Sequence, residues 1–189
     1  MEQQFMKTAF FDFDGVVVDT EPIYDIYWNE AGERYQTGIP NFASHIKGTT
    51  LPYILDKYFS DRSEEFKEMV TRESMDFEQK MPFPPVPGAM EFIHLLKGKG
   101  VKVGLVTSSD NAKLERAFRL LKLDNLFDTV VSADRITKGK PDPMCYQLAA
   151  SDLHVSPADC LVFEDSFAGI QAGTNAGCLL YTSPSPRDR

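Results

Sequence analysis

Cysteine is scarce in this 189-residue sequence, and the few thiols are scattered. The three cysteines are Cys145, Cys160 and Cys178, and no two of them form a CxxC pair. This count and spacing argue against a disulfide framework and against a zinc site. A reducing compartment is the simpler interpretation.

Clusters of basic residues and long apolar runs are also lacking. The chain carries 28 Asp and Glu against 20 Lys and Arg, a formal net charge of −8. Such a surface repels nucleic acid and anionic membranes. No apolar run approaches the length of a membrane span, and residues 1–4 lack the basic start of a signal peptide. We therefore expect a cytoplasmic monomer that binds neither nucleic acid nor membranes and that must place positive charge locally to bind an anion.

Four short apolar runs have the pattern of buried parallel strands, at residues 8–13, 101–106, 129–132 and 160–163. Apolar residues on both faces suit a sheet that helices cover on both sides. Helical segments at 88–97, 111–121, 143–151 and 166–175 alternate with the last three runs. Asp110 precedes one of them as a good N-cap. The alternation predicts an α/β fold with a Rossmann-like, doubly wound parallel sheet.

Residues 19–83 interrupt this alternation. They contain helical patterns at about 22–35, 51–59 and 64–80 and no strand pattern, and the proline-rich residues 82–88 form a stiff return linker. We predict an inserted α-helical cap at 19–83, with the core formed by 1–18 and 84–177. The alternative is an insertion that only elaborates the structure.

The last twelve residues, 178–189, have a different composition. Their Ser, Pro and Arg end cannot form a core element, and it resembles translated adapter or vector sequence more than a native terminus. We treat 178–189 as a non-native tail, although residues 178–181 could occupy an edge-strand position.

Two aspartates follow the first predicted strand directly. Asp12 and Asp14 lie two positions apart and precede Gly15, and on an extended backbone this spacing points both carboxylates the same way. Two close carboxylates repel, so either they share a cation or one is protonated. Both outcomes serve phosphoryl transfer, because Mg²⁺ prefers carboxylate oxygens and an aspartate can attack phosphorus. A calcium loop fits poorly, since a strand precedes the motif and the glycine is misplaced.

Three further polar groups follow the other predicted strands. Thr107 and Ser108 come after the second strand, Lys140 precedes a helix that begins near a proline, and Glu164 and Asp165 end the fourth strand. Each signal is weak alone, but the carboxyl ends of parallel strands can converge on one crevice. Together they predict a single phosphate and metal site.

The full set of motifs resembles the haloacid dehalogenase-like hydrolase superfamily, in particular its β-phosphoglucomutase-like branch with a helical cap. The resemblance covers residues 5 to 177. It is carried by the two aspartates and glycine at 12–15, by Thr107, by the lysine and prolines at 140–143, and by the acidic pair and serine at 164–166.

The resemblance implies a role for each motif. Asp12 would be the nucleophile that becomes an aspartyl-phosphate, and Asp14 the general acid and then base. Thr107 and Lys140 would bind phosphoryl oxygens. Mg²⁺ would be held by Asp12, Glu164, Asp165 and the backbone carbonyl of Asp14. The candidates for substrate binding are Gly15, Ser108, Glu21, His45 and Lys47.

The resemblance leaves the reaction open between two enzymes. Mutases of this branch carry an arginine shortly after a Lys-Gly pair and a histidine early in the first cap helix. Here no arginine follows Lys47 and Gly48 at that place, and Tyr24 occupies the histidine position. We therefore favour a phosphatase acting on a small phosphorylated metabolite such as a sugar or polyol phosphate. A hexose phosphate mutase is the alternative, and an inactive fragment that lacks the family's fifth strand is a third possibility.

Overall fold

Five parallel strands form the central sheet of the protein. The computed structural model describes residues 7–46 and 51–182. The strands are β1 (Thr8–Phe11), β2 (Lys102–Val106), β3 (Thr129–Val131), β4 (Cys160–Glu164) and β5 (Leu179–Thr182). They lie in the order β3-β2-β1-β4-β5 with every neighbouring pair parallel. The predicted doubly wound α/β sheet is confirmed.

Eight α-helices accompany the sheet in the part of the chain that the structure describes. They are α1 (Glu21–Arg34), α2 (Phe42–Ile46), α3 (Leu51–Tyr58), α4 (Glu64–Lys80), α5 (Ala89–Gly98), α6 (Asn111–Leu121), α7 (Met144–Asp152) and α8 (Phe167–Ala176). Short 3₁₀ turns lie at Ala133–Arg135 and Pro157–Asp159.

The chain divides into two compact units, one made of Met1–Asp19 with Phe83–Arg189 and the other of Thr20–Pro82. The first contains the sheet and α5 to α8, and the second contains α1 to α4.

Apolar residues of the sheet and of α7 and α8 form the core of the first unit. Phe10 of β1 is fully buried, and its ring stacks on that of Tyr146 in α7, with ring centroids 6.3 Å apart. Val162 of β4 and Ala172 of α8 are also fully buried in this cluster. The packing fixes the positions at which the strands end, and the candidate site lies at those ends.

Aromatic residues dominate the core of the helical unit. Trp28, Phe42 and Phe59 are buried together, and the rings of Trp28 and Phe42 meet edge to face. Phe42 lies in the five-residue α2, a helix that the sequence analysis did not predict because it is too short for a periodic pattern.

Two boundaries differ from the prediction by more than one residue. The sheet continues past residue 177, since Leu179–Thr182 pairs with β4 as a parallel strand. Leu179–Thr182 thus takes the edge-strand position that the sequence analysis left open for residues 178–181, and the sheet extends beyond the predicted end of the core. At the other end, β1 stops at Phe11 and not at residue 13, because the chain bends at Phe13.

Across residues 7–46 and 51–182, none of the helices is both long and apolar enough to cross a membrane.

Candidate active site

The carboxyl ends of β1 and β4 bring three carboxylates together. These adjacent strands lie where the strand order reverses, the position at which open α/β sheets bind ligands. Asp12 directly follows β1 and its N–H donates to the Phe163 carbonyl at 3.0 Å. Glu164 ends β4 and Asp165 follows it. Each of the three offers a carboxylate oxygen, and these oxygens all lie within 4.8 Å of one another.

This donor set fits a hard divalent cation. Mg²⁺ takes oxygen ligands, and three carboxylates this close repel one another unless a positive charge compensates them. No histidine or cysteine belongs to the group, which argues against zinc.

Lys140 supplies one compensating charge. Its ammonium group donates to Asp12 Oδ1 at 2.9 Å, to the Val106 carbonyl at 3.2 Å and to Glu164 Oε1. A lysine has three N–H donors, so protein acceptors occupy all of them. Lys140 was predicted to bind phosphoryl oxygens, but in this structure it holds the two carboxylates that flank it.

The ammonium form of Lys140 is favoured by these neighbours. Burial opposes the charge, but Asp12, Tyr146 and Glu164 outweigh it and hold the pKa of Lys140 well above its usual value. Lys140 therefore keeps its positive charge and places it next to Asp12 and Glu164.

Asp12 is nearly buried, and this changes its acidity. Burial raises the pKa of Asp12 from 3.8 to about 7, with Lys140 acting in the opposite direction and Glu164 adding to the rise. Without a further cation the carboxyl is therefore partly protonated near neutral pH. A bound divalent cation would favour its ionised form, which is the nucleophilic one.

Glu164 is fully buried, and protein donors surround it. Oε1 accepts from Lys140 and from the Tyr146 hydroxyl at 3.2 Å. Oε2 accepts from the backbone N–H groups of Asp165 and Ser166, both at 3.0 Å, and from the Ser166 hydroxyl at 2.9 Å. Five donors use the four lone-pair sites of a carboxylate. Glu164 thus belongs to the acidic group by distance, but Asp12 and Asp165 are better placed to bind a metal.

Two glycines allow these carboxylates to approach the backbone. A Cβ atom at Gly169 would overlap the carboxylate of Glu164, and one at Gly15 would overlap that of Asp165. Gly15 also has a φ of +80°, a conformation that side chains disfavour. The structure thus gives Gly15 a role in admitting Asp165 to the site; its predicted contact with substrate stays a prediction.

Asp14 lies outside the acidic group of Asp12, Glu164 and Asp165. Both of its carboxylate oxygens contact the ammonium nitrogen of Lys113 at 2.8 Å, and Oδ2 also accepts from the Ser109 hydroxyl at 2.8 Å. β1 ends before both residues, so the extended strand assumed for their common direction is absent. The Asp14 charge nevertheless acts on Asp12 and contributes to its raised pKa. Since its carboxylate lies outside the acidic group, the predicted part of Asp14 in metal binding would have to use its backbone carbonyl, and its role as general acid and base stays a prediction.

Thr107 and Ser108 follow β2, as predicted. Thr107 is buried, and its hydroxyl oxygen accepts from the Ser109 N–H at 3.0 Å. The Thr107 N–H donates to the Val131 carbonyl at 2.9 Å. Ser108 is exposed. This strand end lies beside that of β1, so the hydroxyls border the same crevice.

The other predicted substrate-binding residues belong to the helical unit. Glu21 begins α1, and His45 lies exposed in α2, where its carbonyl accepts from the Tyr58 hydroxyl at 3.2 Å. Lys47 lies outside the described residues.

The sequence analysis missed three polar side chains of the site, namely Ser109, Lys113 and Tyr146. Lys113 carried the clearest signal. It lies in the first turn of α6, where the helix dipole disfavours a positive charge, so a nearby anion could have been suspected. Nothing local in the sequence marked Tyr146, which is buried in the middle of α7.

Several known proteins are similar to this chain. The family model for haloacid dehalogenase-like hydrolases matches residues 6–177. A phosphorylated carbohydrates phosphatase from Thermotoga maritima is 33% identical over 180 residues, which cover 91% of this chain and 82% of the relative.

Two further similarities concern a mutase and a solved structure. The β-phosphoglucomutase of Bacillus subtilis is 33% identical over 186 residues, which cover 91% of this chain and 80% of the relative. The crystal structure of a HAD hydrolase, family IA, variant 3, from Entamoeba histolytica superimposes with a TM-score of 0.80 at 26% identity, covering 94% of this chain and 83% of that one.

Proposed function

Because the chain belongs to the haloacid dehalogenase-like hydrolase family and is a phosphoric monoester hydrolase, we propose that it hydrolyses a small sugar or polyol phosphate through an aspartyl-phosphate on Asp12, with Mg²⁺ as cofactor. The observation that carries the proposal is the position of Asp12, whose carboxylate accepts from the Lys140 ammonium and has an oxygen within 4.8 Å of oxygens of Glu164 and Asp165.

In the first step, Asp12 attacks phosphorus while the bond to the leaving alcohol breaks. Lys140 orients the attacking carboxylate and balances its charge. Thr107 accepts a hydrogen bond from Ser109 N–H, so its own hydroxyl proton can be donated to a phosphoryl oxygen. Asp14 gives a proton to the leaving oxygen.

In the second step, water attacks the phosphorus and releases Asp12. Asp14, now a carboxylate, takes a proton from that water. Asp12 and Asp165 would hold Mg²⁺, and Glu164 would orient Lys140 and the start of α8 around them. A bound Mg²⁺ supplies positive charge that offsets the charge on the phosphoryl oxygens.

A phosphatase is favoured over a mutase by the residues of the helical unit. A mutase must bind a second phosphate, and the sequence has no arginine at the matching place shortly after Lys47 and Gly48. Tyr24, at the position of the mutase histidine, donates its hydroxyl to Glu78 Oε1 at 2.9 Å. With no such anchor, water is the better acceptor. The similarity to the Bacillus subtilis β-phosphoglucomutase keeps the mutase as the second candidate.

The test is a screen of phosphorylated sugars and polyols with Mg²⁺ and with EDTA. We expect phosphate release from at least one alkyl phosphate, only with Mg²⁺, and none from Asp12→Asn. A companion assay supplies β-glucose 1-phosphate with a bisphosphate primer. Conversion to the 6-phosphate without net phosphate release would replace the phosphatase by the mutase, and hydrolysis that persists in EDTA would contradict the metal site.

A further inference from the structure

Lys113 makes a two-point contact with the proposed acid and base. Its nitrogen lies 2.8 Å from both carboxylate oxygens of Asp14, and the two side chains are 10% and 29% exposed. The Ser109 hydroxyl donates to Asp14 Oδ2 at 2.8 Å. Two donors therefore fix both the position and the plane of this carboxylate.

The segment that carries these donors is itself held at its start. The Asp110 side chain caps α6 by accepting from the Lys113 N–H at 2.8 Å. The Ser109 carbonyl accepts from the Ala133 N–H at 3.0 Å. The backbone from which Lys113 and Ser109 project is thus tied to the helix cap on one side and to the turn after β3 on the other.

A second pair of contacts strengthens this attachment. The Asn111 N–H donates to Asp134 Oδ2 at 2.7 Å, and the Ser132 hydroxyl donates to Asn111 Oδ1 at 2.7 Å. Ser132 is fully buried. The first turn of α6 therefore presents Lys113 from a fixed backbone, which is what a positioning residue needs.

Ser109 also connects Asp14 to the proposed phosphoryl-binding group. Its hydroxyl donates to Asp14, and its backbone N–H donates to the Thr107 hydroxyl oxygen at 3.0 Å. Ser109, which follows β2, therefore contacts both the Asp14 carboxylate and the Thr107 hydroxyl, the group that would bind a phosphoryl oxygen.

We propose that Lys113 and Ser109 are positioning residues that hold Asp14 in the orientation from which it transfers protons. The proposal rests on the proposed function. In the step concerned, the phosphorus–oxygen bond to the leaving group breaks, the bond from Asp12 to phosphorus forms, and the proton of Asp14 moves to the leaving oxygen. Without Lys113 the Asp14 side chain samples other rotamers, so fewer encounters have the aligned geometry that proton transfer requires.

The leaving group separates positioning from a merely structural role. A proton matters little when p-nitrophenolate leaves, because it is a weak base, and matters more when the more basic phenolate leaves. Losing the alignment of Asp14 therefore slows phenyl phosphate hydrolysis selectively, while damage to the fold slows both substrates alike.

The experiment measures kcat and KM for p-nitrophenyl phosphate and phenyl phosphate with wild type, Lys113→Met, Lys113→Arg and Ser109→Ala. For Lys113→Met we expect kcat/KM to fall about tenfold or more with phenyl phosphate and less than about threefold with p-nitrophenyl phosphate. This ratio reports the first step and excludes the hydrolysis of the aspartyl-phosphate, which both substrates share. Lys113→Arg should recover most of the loss, since it retains the charge. Arg119→Met, an exposed cation of the same helix, is the matched control and should leave both rates unchanged.

A double mutant completes the test. Lys113→Met should add no further loss to Asp14→Asn, because the residue acts only through Asp14. Equal losses of kcat/KM on both substrates, no loss, or losses that multiply with Asp14→Asn would overturn the proposal. If thermal unfolding shows that Lys113→Met is poorly folded, Ser109→Ala replaces it in the test. Ser109→Ala must then lose more activity on phenyl phosphate than on p-nitrophenyl phosphate. Failure of the proposed function looks different: wild type would hydrolyse neither substrate, or Asp12→Asn would remain active.

Discussion

The ammonium nitrogen of Lys140 lies 2.9 Å from Oδ1 of Asp12, although 128 positions separate the two residues in the chain. The side chain of Lys140 is only 6% exposed and that of Asp12 only 11%. Removing one partner of a buried ion pair leaves the other charge uncompensated, which costs far more than the pair contributes. The fold and the chemistry therefore depend on the same contact.

Replacing Lys140 by methionine should abolish most activity and lower stability. We expect kcat to fall by about 100-fold or more, because Asp12 loses the donor that orients it. Unfolding free energy at neutral pH should fall by on the order of 3 kcal/mol, because Asp12 and Glu164 stay buried without their cation. The measurements are p-nitrophenyl phosphate kinetics and denaturant unfolding.

Lys138→Met provides the matched control for Lys140→Met. Lys138 lies two positions earlier, its side chain is 69% exposed, and it meets Asp142 only at 3.8 Å. Exposed pairs of this kind contribute little. A comparable loss in both variants would mean that the loop, and not the buried ion pair, is responsible.

The acidity of Asp12 predicts how stability depends on pH and on Mg²⁺. Its pKa rises from 3.8 to about 7 on folding, mainly through burial, so between these values the folded chain binds more protons than the unfolded one. The contribution of this carboxyl to stability therefore decreases as pH rises through that window. Mg²⁺ binds the ionised form, so it should raise the melting temperature more at about pH 8 than at about pH 5.5.

Thermal unfolding with Mg²⁺ and with EDTA at the two pH values measures this difference. Asp12→Asn leaves Lys140 paired with Glu164, so no charge loses its partner. The metal-free variant should therefore be more stable than wild type at about pH 8, and most of the Mg²⁺ effect should disappear. A Mg²⁺ effect that is equal at both pH values, or that survives the substitution, would argue against Asp12 as a ligand.

Gly169→Ala tests how closely α8 approaches Glu164. The added Cβ would overlap the Glu164 carboxylate, which must then move and release Lys140 or the Ser166 backbone. We expect a loss of about 1–3 kcal/mol in unfolding free energy together with a fall in kcat. The comparison is Gly98→Ala, also at a helical position, where a Cβ meets nothing within 4 Å.

Gly98→Ala should stabilise the protein by about 0.4–1 kcal/mol, because alanine has less conformational freedom in the unfolded chain. Unfolding by urea measures both variants. The close approach of α8 would be refuted by a Gly169→Ala protein that is as stable and active as wild type.

Glu164 and Asp165 are adjacent, yet their substitutions should have different effects. Glu164→Gln turns an amide donor towards groups that already donate, and should cost about 2 kcal/mol of stability without metal. Asp165→Asn should leave metal-free stability close to that of wild type and weaken the stabilisation by Mg²⁺. Melting temperatures across a Mg²⁺ titration separate the two effects, and the reverse pattern would make Glu164 the ligand.

Local signals allowed much of the fold to be predicted. The bounds of α6 were predicted as residues 111–121 because Asp110 is a strong N-cap, and the structure has the same bounds. The four strands were predicted because each is a short run with apolar residues on both faces, as expected of strands that helices cover on both sides. By contrast, the residues of β5 were assigned to the tail, with an edge strand only left open, because Ser, Pro and Arg residues follow their short apolar run.

The contacts of the site depended on distant parts of the chain. Strand ends predicted which residues converge, so Asp12, Lys140, Glu164 and Asp165 were all anticipated. The partners of Asp14 were not, because Lys113 lies 99 positions away and only the folded chain brings the start of α6 close to Asp14. The bend at Phe13, which ends the extended backbone before Asp14, was likewise not predicted, because no periodic pattern in the sequence marks a bend.

The most direct test of the account is the location of the phosphoryl group during turnover. The protein is mixed with substrate and Mg²⁺, quenched in acid within milliseconds and digested, and the peptides are weighed by mass spectrometry. The account predicts one additional phosphoryl group on the peptide that contains Asp12, assigned to that residue and absent from Asp12→Asn. A phosphoryl group on another residue, or rapid hydrolysis by Asp12→Asn without any phosphorylated peptide, would contradict it.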